Sequence, residues 1–260
     1  MTPSLAEYIS STHVSHRSIM LWWLGQAGFA LKTPAGAVVL VDPYLSASCE
    51  REHGLKRLSP APLELGDVRA DWMLFTHEHT DHLDPDTVTA VARNCPNCCF
   101  AGPAGCRAPL AALGIASERF TLLRASATHD FEGFTVETAP ADHGDYSPSA
   151  LTLLVEVQDV RILFTGDTSL RPDLLKPLLG RPIDLLSPCI NGGFGNMGHI
   201  DAARLVQAAK PRYAIPCHFW TFAEQGAGDP WGFIQACRFL CPDVSALLLK
   251  PGEPFLLEAQ

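Results

Sequence analysis

Nine consecutive residues constrain this chain more than any other stretch: Thr76-His77-Glu78-His79-Thr80-Asp81-His82-Leu83-Asp84. They follow the apolar run 72–76 directly. They precede Asp84-Pro85, which reads as a helix N-cap and first helical residue. The cluster therefore occupies a short loop at the C-terminal end of a strand. In extended backbone, residues two apart point the same way, so His77 and His79 converge while Glu78 points elsewhere. Three imidazoles and a carboxylate make a poor core, because every buried polar group needs a partner. A divalent cation supplies that partner, and zinc, manganese or iron accepts this nitrogen and oxygen set.

Three more residues stand in matching places. His143 follows a strand ending in Ala139-Pro140-Ala141, Asp167 follows Leu163-Phe164-Thr165-Gly166, and His218 follows Ile215-Pro216-Cys217. Side chains just beyond the ends of several strands can meet in one cleft. Together they exceed what one tetrahedral ion takes, and a carboxylate such as Asp167 could bridge two cations about 3.5–4 Å apart. Blander readings exist for single residues. Asp167 could cap the turn that follows it, and Asp84 is explained as well by capping as by catalysis. His129 and His199 read as surface or capping residues. Cys95-Pro96-Asn97-Cys98 has zinc-knuckle spacing, but no second pair follows, so buried reduced thiols are the plainer account.

The rest of the chain alternates short apolar runs with turn residues. Strands are expected at 19–24, 28–32, 37–41 and 72–76, then at 134–139, 150–157, 161–165, 183–186 and 213–217. Helices are expected at 85–93, 104–113, 171–180, 199–209 and 230–240. Hairpins come first and strand–helix alternation later, in two similar halves, which suggests two packed sheets with helices outside. No linker divides the chain.

Net charge is −9 and 18% of residues are charged. That balance argues against nucleic acid and against an anionic membrane face, both of which attract basic patches. Residues 1–17 lack the order of a signal peptide, and no apolar run reaches the roughly 18 residues of a membrane span. Nine cysteines, an odd number, are far too few for a disulfide scaffold. A cytoplasmic protein is expected.

The run from His77 to His82, followed by His143, Asp167 and His218 in that order, resembles the metallo-β-lactamase superfamily over nearly the whole chain. The resemblance implies an α/β fold, an αββα four-layer sandwich of two mixed β-sheets flanked by helices, with residues 1–260 as one hydrolase domain. It places a first cation on His77, His79 and His143 and a second on Asp81, His82 and His218, with Asp167 bridging. Zinc or manganese ranks ahead of iron. Trp23-Leu24-Gly25-Gln26-Ala27-Gly28-Phe29, Asp42-Pro43-Tyr44, Asn191-Gly192-Gly193, Asn196-Met197 and Pro216-Cys217-His218-Phe219-Trp220 look like the L-ascorbate-6-phosphate lactonase branch. Many thiolester hydrolases and tRNA-processing nucleases of the superfamily carry glycine where this chain has Asp84. Flavodiiron proteins carry glutamate at the position of His79.

The activity implied is metal-dependent opening of a small anionic lactone or ester, a sugar-acid lactone among them, by hydroxide generated at the cations. Asp81 would orient that nucleophile and carry its proton to the leaving alkoxide. No G-x-S-x-G nucleophile elbow is present. Asn191 and Asn196, on a glycine-rich loop, are candidate substrate contacts. So is Arg57, which with Arg51 and Lys56 gives a basic loop that could hold a phosphate or carboxylate. A small phosphodiester is the first alternative substrate; a non-catalytic metal-binding protein on the same scaffold is the second. The sequence leaves a homo-oligomer open.

Overall fold

Strand β1 (Ser18–Gly25) is apolar on both faces because it is covered on both. Leu21 and Trp23 face a core between two sheets, whereas Trp22 and Leu24 face a second core under helices. The computed structural model describes residues 3–223 and 228–259. In the first sheet β1 pairs antiparallel with β2 (Gly28–Lys32), and β2 with β3 (Val38–Val41). Then β4 (Trp72–Leu74), β5 (Cys99–Gly102) and β6 (Phe120–Leu122) add in parallel. The last strand of the chain, β14 (Pro254–Glu258), returns antiparallel to the free edge of β1.

The second sheet repeats that plan. β7 (Thr128–Phe131), β8 (Phe134–Pro140), β9 (Leu151–Val157) and β10 (Val160–Phe164) pair antiparallel in turn. β11 (Leu185–Ser187), β12 (Tyr213–Ala214) and β13 (Ser245–Ala246) then continue in parallel. Both seven-stranded sheets thus run three antiparallel pairings into three parallel ones. The inner faces meet through Phe29, Leu31, Val41, Val155, Ile162 and Phe164, with the Phe29 and Phe164 rings 5.2 Å apart. Helices α1 (Leu5–Ser11), α3 (Pro85–Asn94) and α4 (Arg107–Ala112) cover the first sheet through Ile9, Val88, Val91 and Leu110, and the short α2 (Ser48–His53) stands in the connection after β3. Helices α6 (His199–Ala209) and α7 (Pro230–Leu240) belong to the other core through Leu205, Val206, Phe233 and Ile234. The result is the expected α/β sandwich of two mixed sheets flanked by helices. No helix among the described residues is long and apolar enough to cross a membrane.

Several elements depart from the sequence expectation for local reasons. The helix expected over 171–180 is one turn of α-helix, α5 (Pro172–Leu175), followed by a tighter 3₁₀ turn over Lys176–Gly180. Pro177 has no N–H for an i→i−4 bond. The strand expected over 213–217 pairs only at Tyr213–Ala214; beyond Pro216, Cys217 rejoins through a single bridge to Cys189. The helix over 104–113 opens as a 3₁₀ turn at Ala104–Cys106. Helix α3 begins as expected, with Pro85 first and the Asp84 side chain accepting from the Asp86 N–H.

Candidate metal centre

The loops that follow β4, β8, β10 and β12 open at one end of the sandwich, and the structure brings their polar residues together. His77, His79, His143 and Asp167 form one group whose ligand atoms lie within 4.8 Å of one another; Asp81, His82 and His218 form a second. Each group takes residues from the loop after β4 in the first sheet and from loops of the second sheet. Asp167 stands between the groups. Its Oδ1 lies 3.3 Å from His82 Nε2 and 3.2 Å from His218 Nε2, while its Oδ2 lies 3.7 Å from His143 Nε2.

The imidazoles are turned by groups behind them. His82 Nδ1 donates to Asp42 Oδ2 at 2.8 Å, and a carboxylate only accepts, so Nε2 faces the second group. Asp42, which follows β3, also accepts from Thr76 N at 2.8 Å and Thr76 Oγ1 at 2.5 Å. His79 Nε2 donates to the Tyr146 carbonyl at 3.0 Å, which leaves Nδ1 pointing at His77 Nε2, 3.0 Å away. Asn196 Nδ2 donates to Asp167 Oδ2 at 2.7 Å. Gln26 Nε2 donates to Asp81 Oδ2 at 2.7 Å, and its carbonyl accepts from the His218 N–H at 2.8 Å. Gln26, Asp42 and His218 all have positive φ, of 50°, 44° and 60°. Left-handed backbone at three non-glycine residues around one cleft is costly and points to a site held in shape by its surroundings.

Charge follows the same division. Burial, then the neighbouring His82, lowers the pKa of His77 well below its usual value, and burial lowers that of His143. Burial also works against a charged His82, but Asp167, Asp81 and Asp42 outweigh it and raise that pKa well above normal. His218 is raised in the same way by Asp167 and Asp81. Burial opposes ionisation of Asp167 too, yet His218 and His82 hold its carboxyl well below the usual range. Asp81 is likewise lowered against burial by His82 and His218. The two aspartates thus favour protonation of the two histidines, and the histidines favour ionisation of the aspartates. His82 Nε2 and Asp167 Oδ1 make no hydrogen bond with the rest of the protein although both are buried. A divalent cation would meet both demands, so the donor set fits one.

The pocket above these residues has a volume of about 560 Å³ and is lined by His79, Asp81, His143, Asp167 and His218, with Glu78 among the walls. Although Glu78 borders the pocket, its carboxylate turns away from both ligand groups, as alternation suggests: it lies against Gly105 and accepts from Ser147 Oγ at 2.8 Å. The expected substrate contacts fare differently. Asn196 is buried and holds Asp167, and Asn191 is buried off the pocket wall with neither side-chain polar atom bonded to protein. Arg57 does not reach the cleft. Its guanidinium lies 4.7 Å over the Tyr44 ring and donates to the Tyr44 carbonyl at 2.9 Å and the Ser59 carbonyl at 3.2 Å. Those bonds clamp the loop and turn the charge toward a neighbouring apolar hollow. Among the described residues lining the metal-side pocket, none is Lys or Arg.

Asp84 proves to be a cap and more. Its carboxylate accepts from Leu45 N, Ser46 N, Ser46 Oγ, Ser48 Oγ and Thr87 Oγ1, which ties the 45–48 loop to the start of α3. His129 Nε2 accepts from Arg124 N, away from the cleft. The Asp42 and Gln26 contacts were not foreseen, although both residues sit in segments that the family resemblance marks.

Comparison with known proteins accords with this geometry. Residues 20–218 match the model of the beta-lactamase superfamily domain. A UPF0173 metal-dependent hydrolase of Archaeoglobus fulgidus is 30% identical over 248 residues, covering 90% of this chain and 96% of its own. Among solved structures, an isothiocyanate hydrolase from Delia radicum gut bacteria superposes with a TM-score of 0.74 at 19% identity, covering 93% of this chain and all of its own. Igni18, a metallo hydrolase from Ignicoccus hospitalis, gives 0.73 at 18% identity, covering 94% and 100%. This chain belongs to the metallo-β-lactamase superfamily and, within it, to the UPF0173 family of metal-dependent hydrolases.

Proposed function

We propose that this metal-dependent hydrolase opens a small lactone or carboxylic ester, as the lactonase-like segments of its sequence suggest, with two divalent cations, zinc or manganese, in a binuclear site. The observation that carries the binuclear reading is Asp167, whose two oxygens face different ligand groups. His77, His79 and His143 would hold one cation, Asp81, His82 and His218 the other, and Asp167 both. Bound there, such cations lower the pKa of water and polarise a carbonyl.

The chain's own residues do the rest. Asp42 and the Tyr146 carbonyl keep His82 and His79 turned inward, and Asn196 holds Asp167 in place. Gln26 occupies Asp81 Oδ2, leaving Oδ1 to take a proton at the reacting centre and return it to the leaving alkoxide. Nine unpaired thiols suit a reducing compartment, and we place the enzyme in the cytosol. Its partner is a small molecule rather than nucleic acid or membrane.

The test is metal analysis of purified protein, followed by assays of lactones, carboxylic esters, thiolesters and phosphodiesters with zinc, manganese and iron. Turnover of lactones or esters, lost with the metal in His79→Ala, supports the reading. Turnover confined to phosphodiesters replaces it with a phosphodiesterase. No turnover of any class with both cations bound leaves a non-catalytic metal protein.

A further inference from the structure

We infer that the part of the substrate not undergoing hydrolysis is an apolar, flat group, held at the pocket mouth against the edge-to-face pair of Tyr146 and Phe194. This rests on the reading of the site as a metal centre and adds what the other half of its ligand must be.

The floor of the pocket is acidic residues and imidazoles; its mouth is different. Tyr146 and Phe194 line it with side chains 60% and 53% exposed, and Leu55 stands nearby on the wall. The two rings come from separate loops, one just past His143 and the other in the 191–198 loop. Their centroids are 6.0 Å apart in an edge-to-face arrangement. An adjoining hollow of about 610 Å³ is also lined by Tyr146 and Phe194, so the pair stands between two spaces that a ligand could fill. Neither ring serves the core. Phe194 moreover has φ 53° between Gly193 and Gly195, a left-handed backbone that a bulky side chain adopts at a cost. Glycine would relieve that cost, so an exposed phenyl ring there calls for a use.

Position ties the mouth to the floor. The Tyr146 carbonyl accepts from His79, and the Tyr146 ring lies 5.6 Å from His143. A group resting on Tyr146 therefore adjoins whatever the metal ligands hold. No Lys or Arg among the described lining residues offers an anionic substituent a partner, so contact on this side is made by aromatic faces.

Two hydroxamates with the same chelating head and different tails test the inference on zinc-loaded protein by calorimetric titration. Acetohydroxamic acid reads the cations alone; phenylacetohydroxamic acid adds a ring that reaches the mouth. The phenyl compound should bind about tenfold tighter. Phe194→Ala, a change at an exposed side chain, should bring the two within about threefold while acetohydroxamic acid binds as before. Equal affinities in the unmodified protein, or a preference that survives Phe194→Ala and Tyr146→Ala alike, overturn the inference and leave the metal centre standing. Failure of both compounds to bind the zinc-loaded protein also overturns the inference; failure of the protein to take up zinc at all overturns the metal centre and the inference with it.

Discussion

Asp42 Oδ2 lies 2.8 Å from His82 Nδ1, and neither side chain is open to solvent. The carboxylate is fixed in turn by two donors of Thr76, the residue next to His77. One buried aspartate outside both ligand groups therefore sets the direction of an imidazole in the second and steadies the start of the loop that supplies the first.

Asp42→Asn keeps the shape and removes the charge. Its amide can no longer hold His82 in one tautomer, so zinc affinity at the second group should fall by about 10–100-fold while the first is less affected. Competition titration against a chromophoric chelator resolves the two steps.

Loading the site should expel protons. The neighbouring aspartates, against burial, raise the pKa values of His82 and His218 above the ordinary histidine value, so they favour protons that ligation must displace. Apparent affinity for zinc should therefore rise with pH through the neutral range. Calorimetry in buffers of different ionisation enthalpy should register the released protons. The same direction of shift fixes stability. Groups raised on folding stabilise fully below the ordinary histidine value, and that stability is lost as pH climbs through their folded values. Chelated protein should thus melt at lower temperature as pH rises above 7. His77 and His143 are lowered, so they act below pH 6.5, outside that window. A melting temperature that holds steady over the same range would show that the histidine–aspartate balance is misread.

Arg57→Ala should act on the loop and not on substrate charge. The guanidinium donates to three backbone carbonyls, those of Tyr44, Ser46 and Ser59, and covers the Tyr44 ring. Its loss should cost about 1–3 kcal/mol in urea unfolding. Any rise in KM should be equal for anionic and neutral esters; a selective rise for the anionic ones would return Arg57 to the binding site.

Gly166→Ala probes the packing behind Asp167. Gly166 has φ 59°, and a Cβ there would sit 2.7 Å from Thr76 Cβ, which has no slack to give. We expect a loss of about 2–4 kcal/mol, with weaker metal binding because Thr76 backs Asp42. Thermal melts with and without zinc separate the two effects.

That these seven residues come together was legible because their chemistry conflicts with their surroundings: histidines and aspartates directly after apolar strands demand a purpose. Asp42 and Gln26 carried no such conflict. Asp42-Pro43 looks like any turn after a strand, and its meaning depends on Thr76 and His82, more than thirty residues later in the chain. The direction of Arg57 was illegible for the complementary reason, since a basic residue in a loop says nothing about which way its guanidinium turns. Long strands such as β1 and β9 announced themselves by apolar pattern. β13, two residues long, is too short to carry a period, and β14 begins with proline; these become strands only through the partners they meet.

Each ligand group draws on both halves of the sandwich, and this makes a bound ion a tie across the seam. The loop after β4 belongs to one sheet; His143, Asp167 and His218 belong to the other. Neither half alone can assemble either group. Metal capture would therefore report that the two halves have docked in register, and removing the ion would release the seam at its open end first.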